Sequence, residues 1–172
     1  MTGGASAARS AKPRLGHGLL ALARVGVAYM WIQNLAWKDP SNSFGALRGW
    51  IQMAVDHPVF PPYSWLVEHF VLPNMSLFGW IVLLVEGGIG AFLLVGLATR
   101  LWALIGAAES AAIALSVLNA PHEWPWAYYL MILIHLVFFG TRAGRAYGVD
   151  GVLRPSWQAS SHPLARALVK MS

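Results

Sequence analysis

The chain has 172 residues, of which 57% are hydrophobic and 11% charged, and a net charge of +5. Soluble domains carry about 25% charged residues, so this composition, with a mean hydropathy of +0.54, excludes an ordinary soluble domain and points to the membrane class. The absence of cysteine excludes disulfides, thiolate nucleophiles and Cys-ligated metals within the chain, and the basic residues are too scattered for a nucleic-acid surface.

The first eighteen residues, MTGGASAARSAKPRLGHG, are small, polar and basic. The apolar run after them is too long for a signal-peptide core, and it ends in Trp37-Lys38-Asp39-Pro40 where a cleavage site would need small residues. Residues 1–14 are therefore expected to be a cytoplasmic tail before an uncleaved span. Four continuous apolar segments follow, at residues 15–36, 75–98, 101–119 and 124–141. Each approaches the roughly 20 helical residues needed to cross a bilayer core, and none alternates as a barrel strand would. The expected fold is an all-α integral membrane protein with a four-helix transmembrane bundle.

The connection 37–74 carries pattern of its own. Phe44, Leu47, Ile51 and Val55 share one helical face, with Arg48, Gln52 and Asp56 elsewhere, as in an amphipathic helix at the membrane interface. HPVFPPY breaks that helix, and SWLVEHFVL predicts a second short one that Pro73 should stop. Trp31, Trp37, Trp124 and Trp126 fall near the outer boundary, where amphipathic indoles are favoured. Residues Pro163–Met171 predict a further amphipathic helix on the inner side.

Arg9, Lys12, Arg14, Arg100, Arg142, Arg145, Arg154, Arg166 and Lys170 all fall on one side of these spans. The other side has only Lys38 and Arg48, offset by Asp39, Asp56, Glu68 and Glu123. The positive-inside rule then puts both termini in the cytoplasm.

Each span carries one strongly polar residue: Arg24, Glu86, Glu109 and His135. At about 1.5 Å rise per residue they lie roughly 9–18 Å from the inner ends of their spans, which predicts one polar layer. Ionisable groups at that depth are costly and should turn inward to find partners. Glu86 shares a face with Gly79 and Gly90, and Glu109 shares one with Ala112 and Ser116, small residues that admit close helix packing. The plainer reading is structural: Arg24 pairs with Glu86 or Glu109 to fix helix register, and His135 satisfies the remaining carboxylate. The functional reading is a redox or proton site. A quinone needs flat apolar walls, hydrogen-bond donors and protons. His135 would donate, Glu86 or Glu109 would relay, and Tyr128, Met131 and Phe138 would line the pocket. Histidine suits proton transfer because its unperturbed pKa is about 6.5.

No metal or haem is expected. Only His135 lies deep, whereas a bis-His haem needs two such residues, and His57 and His69 show no ligand spacing. No phosphate loop, nucleophile elbow or zinc motif occurs.

The stretches LARVGVAYMWIQNLAWK, EGGIGAFLLVGLATR and EWPWAYYLMILIHLVFFGTRAGRAYGVDGVL together resemble the DoxX-like membrane proteins, and the last looks most like the DoxD type. The resemblance covers roughly residues 18–154. Its strongest pieces are the run from Glu123 through Trp124 and Trp126 to His135, and the run Arg142, Arg145, Asp150; the turn ending at Arg100 is looser. It implies a four-helix membrane domain over residues 15–154, followed by a cytoplasmic tail at 155–172. It also implies a bacterial or archaeal cell membrane, and a place in a thiosulfate:quinone oxidoreductase beside a second, DoxA-like subunit. With no cysteine, this chain cannot carry sulfur on a thiol, so such a partner would handle thiosulfate. Two other functions fit the residues: a non-catalytic anchor for a redox or stress-response complex, and a small proton or solute conductor.

Overall fold

A computed structural model describes the backbone of residues 4–172 and the side chains from residue 15 onward. The side chains of Arg9, Lys12 and Arg14 in the expected N-terminal tail lie outside the described residues. The described chain is all helical. Helix α1 spans Gly4–Gln33, α2 Gly45–Asp56 and α3 Pro61–Leu66. Then come α4 at Met75–Val95, α5 at Thr99–Val117, α6 at Pro125–Thr141, α7 at Val149–Ala159 and α8 at Pro163–Met171. Three helical stretches are long and apolar enough to cross a membrane: Leu15–Gln33, Pro61–Val95 and Thr99–Val117. Helix α6 is apolar but shorter, at 17 residues.

Pro73 does not end the helix before it. A π-helical turn at Val67–Val71 and a 3-10 turn at Leu72–Asn74 carry the chain from α3 into α4, so the helical path runs from Pro61 to Val95. Proline removes one N–H and crowds the preceding turn. Here the turns on either side widen and tighten to absorb it, and side chains take over the carbonyls. Asn74 Nδ2 donates to the Phe70 carbonyl at 2.8 Å, and Arg48 donates to that of Leu72 at 2.8 Å.

Small residues set the packing. Helix α1 lies along α4, where a Cβ on Gly90 would come within 2.7 Å of Ile32. Gly79 leaves room for the Phe44 ring, which anchors the start of α2 on α4. The face of α2 predicted from its periodicity is thus spent on protein: Phe44 and Leu47 are buried, and α2 packs along α5. An apolar core of Ala28, Ile89, Leu93, Ala103 and Phe138 joins α1, α4, α5 and α6 on the side of the α4–α5 turn, the end expected on the inner side.

At the inner end, polar side chains close helix termini. Gly96, at φ +71°, ends α4, and the N–H groups of Gly96 and Leu97 both donate to the Phe92 carbonyl. Helix α5 starts at once, with no capping side chain of its own. Asp150 supplies one from α7: its two carboxylate oxygens accept from the N–H groups of Ala98 and Thr99 at 2.8 and 2.9 Å. A carboxylate is favoured there by the partial positive charge of a helix N-terminus. Gly144 has no Cβ because Thr99 and Asp150 fill that space.

Arginines hold the other end of this assembly. Arg154 donates to Val169 and Ser172, Arg145 to Ser172, and Arg100 to the Lys170 carbonyl. Burial holds Arg145 below the usual arginine range, and repulsion from Arg154, Arg142 and Arg100 adds to that. Residue 155, where the tail was expected to begin, falls inside α7, and α8 forms where predicted.

Candidate functional site

Above the apolar core lies a chamber of about 880 Å³. Its walls are mostly apolar and aromatic, with Trp31, Trp50, Tyr63 and Tyr128 among them. Glu86, Glu109, His135, Tyr128 and Met131 all line it, so five of the seven side chains proposed for a polar core or quinone pocket meet in one space. Arg24 and Phe138 do not.

Glu86 is paired with Lys38, not with Arg24. The Lys38 ammonium stands 2.6 Å from Glu86 Oε2, with both side chains almost wholly buried. It also donates to the Asn34 carbonyl at 3.0 Å and lies 4.1 Å above the Trp37 ring. Asn34 Nδ2 donates to the same Glu86 oxygen at 3.3 Å, and Trp37 Nε1 donates to Asn34 Oδ1 at 2.8 Å. Burial pulls the Lys38 ammonium below the usual lysine range, and Glu86 opposes that pull. Lys38 had been expected as an outer cation. Its stem instead folds back into the protein, because Trp31, Asn34 and Lys38 continue one helical face beyond the end of α1.

Arg24 has a different task. Its buried guanidinium donates to the carbonyls of Leu93 and Leu94, the latter at 3.0 Å, and reaches that of Ala146 at 3.5 Å. These include the last carbonyls of α4, which have no partner within their own helix and carry the negative end of its dipole. The long side chain therefore runs inward, away from the chamber.

His135 is buried and uses both ring nitrogens. Trp31 Nε1 lies 3.0 Å from His135 Nε2, and Nδ1 lies 2.7 Å from the Met131 carbonyl. An indole N–H only donates and a carbonyl only accepts. The ring is therefore neutral, with its proton on Nδ1. Gly106 of α5 makes room for it, since a Cβ there would come within 2.3 Å of the imidazole. Together His135 and Trp31 floor the chamber. Phe138 packs edge-on against His135 from below.

Glu109 faces the same space without a hydrogen bond from any described residue, close enough to feel the charges of Glu86 and Lys38. On the same side, the Tyr63 hydroxyl lies 3.1 Å from the Ala112 carbonyl and 3.0 Å from Ser116 Oγ. The Tyr128 hydroxyl is held by Glu123. Trp124 and Trp126 are exposed, while Arg100, Arg145 and Asp150 belong to the inner lock and Arg142 is exposed beside it. Lys38, Asn34, Trp31, Tyr63 and Ser116 were not proposed as site residues. The shared face of Trp31, Asn34 and Lys38 was the available signal for three of them.

The fold and chamber define a multi-pass helical membrane protein with a largely apolar chamber that holds an ion pair and an additional carboxyl group. The family model described as "TQO small subunit DoxD" matches residues 49–171, and the chain belongs to the DoxD family. No curated protein and no solved structure matches it significantly. The α1 wall of the chamber, with Trp31, Asn34 and Lys38, precedes the matched residues.

Proposed function

We propose that this protein is the membrane subunit of a quinone-linked oxidoreductase of the thiosulfate-oxidising kind, and that the chamber receives the quinone ring. In this reading α6 is a fourth span, the bundle sits in a bacterial or archaeal cell membrane, and both termini face the cytoplasm. A partner subunit handles thiosulfate. The observation that carries the reading is the chamber itself: its volume of about 880 Å³ lies within the roughly 300–1,000 Å³ of small-molecule sites, which are mostly apolar with a few placed polar groups.

The donor set fits a quinone. Trp31 and Tyr128 offer flat walls, the acid form of Glu109 offers a hydrogen bond to a ring oxygen, and the Tyr63 hydroxyl offers a second by turning its proton from the Ala112 carbonyl to the ring. A bound quinone supplies a two-electron, two-proton acceptor. Glu109 is the side chain best placed to hand over a proton, since no described residue hydrogen-bonds to it. The Lys38–Glu86 pair stands behind it to restore that proton. His135, with both nitrogens engaged, positions the Trp31 wall.

Quinone binding is measured by quenching of tryptophan emission, and turnover by quinone reduction with thiosulfate and the partner subunits present. Glu109→Gln should abolish most turnover, whereas His135→Ala should weaken binding more than it slows the bound enzyme. Wild-type protein that binds no quinone analogue would end this reading. The polar cluster alone would also suit a proton conductor, but the buried apolar side chains of Ile89, Leu93, Ala103 and Phe138 lie between it and the inner end. Liposomes containing the protein should therefore pass protons no faster than empty ones.

A further inference from the structure

The ring of helices is closed on three sides. Helix α1 packs along α4, α4 along α5, and α5 along α6, whereas α1 and α6 have no comparable interface. The hydrogen bond from Trp31 to His135 crosses this gap at the chamber floor. Beside the gap, Met30 of α1 is 65% exposed and Leu130 of α6 is 57% exposed, yet both line the chamber. Glu86 and Glu109 stand on α4 and α5, across the chamber from the gap.

We propose that the chamber is loaded sideways from within the bilayer, through the gap between α1 and α6. Its ligand is an amphiphile whose polar ring reaches Glu109 while an apolar tail stays in the lipid beside Met30 and Leu130. An apolar rim around an opening is disfavoured in water and suited to hydrocarbon. The polar groups sit deep and the greasy ones at the mouth, the order an amphiphile needs when its tail remains outside. The identity of the ring rests on the quinone reading; the route does not.

Because the chain lacks cysteine, a single thiol can report the route. Ala112→Cys places one on the chamber wall, one helical turn from Glu109. In proteoliposomes its labelling is timed with an alkyl maleimide that partitions into lipid and with a charged, impermeant maleimide. The alkyl reagent should label about tenfold faster, as its apolar chain concentrates it in the bilayer. Adding Ala127→Trp, on α6 one turn from Leu130 and likewise exposed and lining the chamber, or Met30→Trp on the α1 rim, should slow alkyl labelling several-fold. The SDS-unfolded chains should label alike. Equal rates for the two reagents, or no slowing by either rim substitution, would overturn the route.

Quinone binding provides the second arm, using a long-chain and a tailless analogue on the cysteine-free chain. The rim substitutions should weaken the long-chain analogue about tenfold, the effect of displacing roughly two buried methylenes. The tailless analogue should change far less. If neither analogue binds wild type while labelling behaves as expected, the quinone reading fails and the route stands. If the long-chain analogue binds and the rim substitutions leave its affinity unchanged, the route fails.

Discussion

The outer and inner halves of this molecule both contain buried charges, but they use them differently. In the inner half, Arg24 and Asp150 complete the ends of helices: one accepts the company of the last carbonyls of α4, the other takes the first N–H groups of α5. In the outer half, Lys38 and Glu86 form a buried ion pair in the chamber wall, and Glu109 faces the chamber's open space. Burial alone therefore does not separate a charge that closes a helix end from one that borders open space. The partner does. A charge satisfied by backbone holds the frame, and one that borders open volume is available to a ligand.

The sharpest way to break this contrast is to disrupt each half and compare stability with binding. Lys38→Met should cost most, about 3 kcal/mol, because it strands Glu86 without its cation. SDS titration of unfolding in detergent measures this, and Lys38→Met combined with Glu86→Leu should recover most of the loss. A single variant as stable as wild type would show that the two charges are not buried together. Asp150→Ala should cost about 2 kcal/mol by leaving the Ala98 and Thr99 N–H groups unpaired, while quinone affinity of the folded fraction stays within about twofold. A large loss of affinity there would erase the distinction between the halves.

Gly106→Ala tests the floor between them. The new methyl must push the His135 ring aside, costing about 2 kcal/mol and freeing the Trp31 indole, which should shift the tryptophan emission. Tyr63→Phe should have the smallest effect on stability, about 1 kcal/mol, for the loss of its contacts to Ala112 and Ser116. It should also weaken quinone binding a few-fold. Unchanged binding would remove Tyr63 from the site while leaving the chamber in place.

Much of the frame was legible because it follows from runs and periods. Apolar length located α1, α4, α5 and α6, and the amphipathic period located α2 and α8. The convergence of Glu86, Glu109 and His135 was legible too, since antiparallel helices bring residues of similar depth together and small residues marked the inward faces. Side-chain direction was not legible. Arg24 and Lys38 have long, flexible stems, so counting rise along the helix leaves their charged ends uncertain by more than a turn. One runs inward to the end of α4 and the other bends back into the chamber. The capping role of Asp150 was hidden for another reason: it joins residues about fifty positions apart, and no local pattern announces a cap supplied from so far along the chain.

That distant cap has a consequence for biogenesis. The whole hairpin of α4 and α5, up to Val117, is synthesised before Asp150. Until then the Ala98 and Thr99 N–H groups lack the carboxylate that pairs them in the folded chain and need water in its place. Arrival of the 142–150 stretch replaces that water with a carboxylate and sets α7 against the hairpin. A chain ending before residue 150 would keep its long apolar helices and their packing but lack this cap on α5.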